Sequence, residues 1–154
     1  TMALRPDRNE FLTDLSFFMD EVAERGILVV QSTQGSGAAM DQSEAAVKIG
    51  TYANRATDMP VGLLLCDVVN LDLTRQHINY AKDEVQKGNK VLLLRRGFVV
   101  TDQISGDITM GEPAHWMGGG QLCSATAESV SVQVGRWLSK KDADGFAKVE
   151  INIV

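Results

Sequence analysis

Hydrophobic and polar positions follow two different rhythms along the chain. In residues 5–25 the apolar residues Phe11, Leu15, Phe18 and Val22 recur at spacings of four, three and four, with Leu12 and Met19 widening the stripe. Asp7 or Asn9 suits the cap before a first turn, and Gly26 suits the position after a last one. The pattern predicts a short amphipathic helix. Beyond Gly26 the apolar runs shorten to strand length. They occupy residues 27–31, residues 45–50 with Val47 and Ile49 across from Lys48, and residues 61–69, a nearly continuous apolar run expected to be buried on both faces. Residues 71–88 fit no single period and read as an extended loop with short strand pieces.

The second half is a series of short strands separated by glycines. Residues 90–95 form an apolar run, Gly97 breaks it, and residues 98–101 resume it, which predicts a tight hairpin. Gly106 and Gly111 mark turns, residues 113–117 suit another strand, and Gly118, Gly119 and Gly120 supply the positive φ angles of a reversal. Val130, Val132 and Val134 alternate with polar or small residues as in a half-buried strand, which Arg136, Trp137 and Leu138 continue. Asp142 to Gly145 is a turn, and Val149, Ile151 and Ile153 belong to a closing strand.

The expected fold is therefore mostly β, a compact β-barrel or sandwich-like domain with an N-terminal arm carrying a short amphipathic helix. Residues 1–26 form the arm and residues 27–154 the β-rich domain. The apolar face of the arm either packs on its own domain or docks on a neighbouring subunit. In the docking case, removing residues up to Gly26 leaves a folded domain that no longer attaches. In the other case the removal unfolds it.

Composition adds limits. A chain of 154 residues with 44% hydrophobic and 23% charged residues can bury a single core and is not disordered in composition. Its net charge of -5 weighs against a nucleic-acid surface, which needs cations to displace counterions. Cys66 and Cys123 are too few for a disulfide framework and lack zinc-ligand spacing, so Cys66 is expected as a small buried hydrophobe and the folding compartment as a reducing one. No apolar run approaches the length of a membrane span, and the N-terminus carries no signal-peptide pattern.

Candidate chemistry is sparse. Gly35 and Gly37 follow a strand, as in a dinucleotide fingerprint, but Met40 stands where a small residue is needed and Asp58 lies in a turn rather than at a strand end. That loop is expected to be solvated. His77 has no second ligand at metal spacing, and the calcium-like run at Asp142 lacks its oxygen donors, with Lys140 and Ile151 in their places. Glu112 and His115 could share acid-base work only if Pro113 bends the chain, since residues an odd number apart on a strand diverge. Trp116 and Trp137 suit core plugs or interface anchors. The expectation is no catalytic residue, no cofactor and no metal.

Several runs together resemble a known family. Pro60-Val61-Gly62-Leu63-Leu64, Asp67-Val68-Val69, Asp83-Glu84-Val85, Gly88-Asn89-Lys90-Val91 and Arg96-Gly97-Phe98-Val99-Val100-Thr101 are similar to the capsid decoration, or head cement, proteins of tailed bacteriophages. Gly111-Glu112-Pro113-Ala114-His115-Trp116, the three glycines after it and Val134-Gly135-Arg136-Trp137-Leu138 continue the likeness. The resemblance implies a β-rich domain on the outer capsid surface of a virion, made in the host bacterial cytoplasm. Its partners would be the major capsid protein, whose subunits it bridges, and further copies of itself in a homo-trimer, with neither nucleic acid nor membrane. The residues expected to touch partners are Arg5, Phe11, Leu15, Phe18, Val22 and Trp116. The chain departs from the family in its Phe-rich, helix-patterned N-terminus, where many members have an extended arm. Alternative readings are a tail or head-fibre base protein, or a small enzyme or nucleotide-binding protein using Gly35, Gly37 and His115.

Overall fold

One strand, Lys90–Thr101, runs through the centre of the protein and organises the rest. The computed structural model describes residues 4–5, 8–32, 45–51, 53–54, 56–68, 84–85, 87–124 and 132–153. In chain order the strands are Asn9–Met19 (β1), Ala23–Glu24 (β2), Leu28–Gln31 (β3), Ala46–Ile49 (β4), Pro60–Val68 (β5), Glu84–Val85 (β6), Lys90–Thr101 (β7), Pro113–Trp116 (β8), Leu122–Ser124 (β9), Gly135–Trp137 (β10) and Ala147–Asn152 (β11). β2 and β6 pair with each other, and the remaining nine strands form one sheet.

Both edges of β7 are occupied. Along one edge β1 runs antiparallel, from Phe18 opposite Lys90 to Asn9 opposite Phe98, and a bridge between Leu4 and Thr101 extends the line. The other edge is divided. β5 pairs with residues 90–94 and β11 with residues 96–101, so the sheet forks at Arg95. From β5 the pairing continues through β3 and β4 and returns to β1, where Phe18 and Met19 lie parallel to Ala46 and Val47. Five strands thus close a circuit of hydrogen bonds. From β11 it continues through β10 and β8 to β9.

Two predicted elements are corrected. Residues 9–19 form a strand and not an amphipathic helix. Register shifts between Glu10 and Leu12, Leu12 and Thr13, and Asp14 and Phe17 interrupt the alternation, and a strand with such bulges spaces its apolar residues at intervals that mimic a helical stripe. The hairpin expected at Gly97 does not form either. The strand passes straight through, with Gly97 at φ 151°, and a Cβ there would lie 2.2 Å from the Asn9 carbonyl oxygen. Glycine at this position permits the close approach of β1; it does not reverse the chain. Further along, the alternating valines lie ahead of the strand that begins at Gly135, with Val134 buried and Val132 exposed. Residues 130 and 131, and most of the segment 71–88, lie outside the described residues.

The fork creates two cores. Met19, Val29, Val47, Val61, Leu64, Val91 and Leu93 from the five circuit strands pack together with Ala23, Ile27 and Val85. On the other side of β3 and β5, Leu28, Val30, Leu63 and Leu65 meet Leu94, Val99, Trp116, Leu122, Trp137, Val149 and Ile151. β3 and the first half of β5 are therefore buried on both faces, as the apolar run of residues 61–69 predicts for its described part. Cys66 is only half-buried, in contrast to the buried thiol expected from sequence. Because Leu4 belongs to one core and Met19 and Ala23 to the other, the segment before Gly26 shares both cores with the strands after it.

Trp116 is placed by glycine. Its ring passes so close to Gly50 that a Cβ there would lie 2.3 Å from Cζ3, and the backbone of Gly119 donates to the Gly50 carbonyl at 3.0 Å. Trp137 donates its indole N–H to the carbonyl of Cys123 at 3.2 Å, satisfying its one polar atom inside the core.

Candidate functional site

The residues expected to touch partners divide into two groups. Phe11, Leu15 and Val22 are exposed, at 60%, 44% and 54%. Phe18 and Trp116 are not available at the surface: they are 2% and 0% exposed and belong to the packed interior. The helical reading put Phe18 on the same stripe as Phe11. The register of β1 instead turns it inward at the end of the strand that enters the circuit. Sequence reasoning passed over Leu12, which is 52% exposed, as a mere widening of that stripe.

Arg5 is held within the chain. Its backbone N–H donates to Val100, and its guanidinium lies 3.0 Å from Asp144 and 3.6 Å from Asp142. The same group stacks 4.2 Å from the Phe146 ring centre. Asp142 organises the turn that receives it, with Oδ1 accepting from the backbone N–H groups of Asp144 and Phe146 at 2.9 and 3.0 Å. The Phe146 backbone hydrogen bond, aided by that of Asp144 and by the Arg5 charge, holds the Asp142 carboxyl below its ordinary 3.8. A depressed pKa contributes stability that is complete above the unfolded value and disappears as pH falls through the folded one. The stability difference between wild type and Asp142→Asn is therefore expected to be full near neutral pH and to shrink below 3.8, as urea denaturation at several pH values would show. A difference that stays constant into acid would contradict this role.

An open face lies on the outside of β1, β7, β11 and β10. Val99 and Thr101 of β7 are buried, so Arg96, Phe98 and Val100 turn the other way. Opposite them on β11 stand Asn152, Glu150 and Lys148, and opposite Glu150 on β10 stands Arg136. The Phe11 ring meets Phe98 edge to face at 5.5 Å, and the Lys148 ammonium lies 5.6 Å from the Phe98 ring centre. Two shallow clefts flank this row. One, of about 390 Å³, is lined by Arg8, Asn9, Phe98 and Lys148, and the other, of about 340 Å³, by Gln133, Gly135, Arg136, Glu150 and Asn152. Period-two alternation over residues 96–100 and 148–152 could have indicated this face from sequence.

The groups considered for chemistry lie apart. Glu112 accepts a hydrogen bond from the Ser124 hydroxyl, and Ser124 pairs with Ala114 across β8 and β9. His115 follows Ala114 on β8 and so faces the opposite side, where it pairs with Cys123 and is 8% exposed. Gly35 and Gly37 lie outside the described residues. Among the described residues no group of three or more His, Cys, Asp and Glu is placed to hold a metal ion. Among them, too, no helix is long and apolar enough to cross a membrane.

No protein-family model matches the chain. No curated protein matches it either. Among solved structures, the crystal structure of the head fiber gp8.5 N base of bacteriophage phi29 is similar over 94% of each chain, at 15% sequence identity and a TM-score of 0.48.

Proposed function

We propose that this chain is a structural protein of a tailed-phage virion that decorates the outer capsid surface and stabilises the shell by bridging neighbouring major capsid protein subunits, as a homo-trimer. The observation that carries the reading is the first half of β1. Phe11, Leu12 and Leu15 are exposed within five residues, on a strand that is paired along β7 but, among the described residues, meets a second strand only at Phe18 and Met19. Exposed apolar side chains on an unprotected edge are normally avoided in a protein that stays alone, and their retention suits a surface that is covered on assembly. The sequence resemblance to head cement proteins supplies the partner.

The physics of a repeating shell suits such an element. One small apolar contact binds weakly, but copies joined through a trimer engage several capsid subunits at high effective concentration. A protein that binds only the assembled shell stabilises it by mass action. Phe11→Asp combined with Leu15→Asp is expected to leave the fold within about 0.5 kcal/mol of wild type, because both sites are exposed. The double variant should fail to cosediment with particles and should not raise the temperature at which they release their genome. Full attachment of that variant would sink the reading. Cryo-microscopy of particles decides the location: density over the capsid surface supports it, and density at the tail or at the base of a head fibre assigns the chain there instead.

A further inference from the structure

We propose that the outward face of β7, β11 and β10 is a docking site for an acidic protein segment with an apolar side chain at its centre. This deepens the proposed attachment and rests on it for the identity of the particle that presents the segment. The argument begins with charge. The chain carries a net -5, yet this face gathers Arg8, Arg96, Arg136 and Lys148 against only Glu10 and Glu150. Arg8 is taken up by Glu10 at 2.8 Å. Arg96 and Arg136 are exposed and, among the described residues, make no ion pair. Two such guanidiniums, each able to grip a carboxylate with paired hydrogen bonds, therefore stand on an otherwise acidic molecule.

The apolar part lies between them and β1. Phe11 and Phe98 form an edge-to-face pair that continues the exposed apolar end of β1 onto the sheet. With strands about 4.8 Å apart, Arg136 on β10 stands roughly 10 Å from Phe98 on β7. An occupant that sets an apolar group on the Phe pair can thus place a carboxylate in the cleft beside Arg136 and another near Arg96. An aromatic centre with an arginine rim is the arrangement in which truncation costs most binding energy. Glu150 sits in the middle of the row and would repel a phosphate chain, which favours a protein segment with spaced carboxylates over nucleic acid.

The test uses the whole protein and three probes: an extended peptide with glutamates alternating around a central phenylalanine, the same peptide with glutamines, and an oligodeoxythymidine. The glutamate peptide should bind wild type, more weakly as salt rises, and about tenfold more weakly to Arg96→Ala/Arg136→Ala. The Arg96→Lys/Arg136→Lys variant should recover part of the loss, which a general folding defect would not allow. Equal binding of the glutamine peptide, indifference to the alanine pair, or tighter arginine-dependent binding of the oligonucleotide would each overturn the proposal. So would concentration-dependent self-association of the free protein that the alanine pair abolishes, since the occupant would then be a second copy. The two readings fail separately. Alanine-pair protein that coats particles as well as wild type does removes this site and leaves the decorating role. Loss of peptide binding in the alanine pair, found beside full attachment of Phe11→Asp/Leu15→Asp, keeps this site and removes the β1 contact.

Discussion

Replacing Trp116 by alanine is expected to lower the free energy of unfolding by about 3–5 kcal/mol, the range for removing a large aromatic from a packed core. The ring is 0% exposed and sits against Gly50, in a cluster that joins β3 and β5 to β8, β9 and β10. Little around it can collapse into the space, because Gly50 has no side chain and is bonded through its carbonyl to Gly119. Equilibrium urea unfolding checks the value, and it amounts to a third or more of the stability of a typical domain. Gly50→Ala acts from the other side of the same contact. Its added methyl must displace the indole, and about 1–3 kcal/mol is expected from overpacking. A Trp116→Ala protein as stable as wild type but defective in attachment would restore the interface role expected from sequence.

Removing residues 1–26 is expected to abolish cooperative folding. The deletion strips β1 from the edge of β7 from Lys90 to Thr101, opens the closed circuit at β4, and takes Leu4, Phe18, Met19 and Ala23 from the packed interior. The exposed edge and apolar faces left behind are of the kind that aggregates. Circular dichroism and proteolysis of the truncated protein are the measurements. A soluble product with a sharp unfolding transition would show that β1 is an attached ribbon and not a structural member. The contrast with Phe11→Asp/Leu15→Asp is informative, since that variant should fold and fail only in binding.

Much of the β character is legible in the residues. The apolar run at residues 61–65 is buried on both faces as predicted, the turn at Asp142 forms, and the glycines at 118–120 make a short 3₁₀ reversal with positive φ at Gly119 and Gly120. The errors arise where tertiary contact overrides local pattern. Gly97 looks like a break from sequence, but what decides its conformation is the Asn9 carbonyl, from the far end of the chain. The Phe11 to Val22 stripe looks helical because bulges move apolar residues off strict alternation, and bulges are set by the neighbouring strand. Trp116 could not be assigned to core or surface without knowing that Gly50 lies beneath it. The open face is hidden in the sequence because its members come from β1, β7, β10 and β11, and only pairing brings Phe11, Phe98, Lys148 and Arg136 together.

The fork in β7 also sets an order of events during synthesis. β1 emerges early, yet the strand that pairs along its whole length is made only at residues 90–101. Until then Phe11, Leu12, Phe17, Phe18 and Met19 have no β7 to lie on, and the circuit of β3, β4 and β5 cannot close. The opposite edge of β7 waits longer still, because β11 comes last. Closing such long loops is slow, and the waiting strands are exposed to mispairing. The strand that unites the finished protein is thus also its timing step: nothing on either side of it can be completed before residue 101 is made.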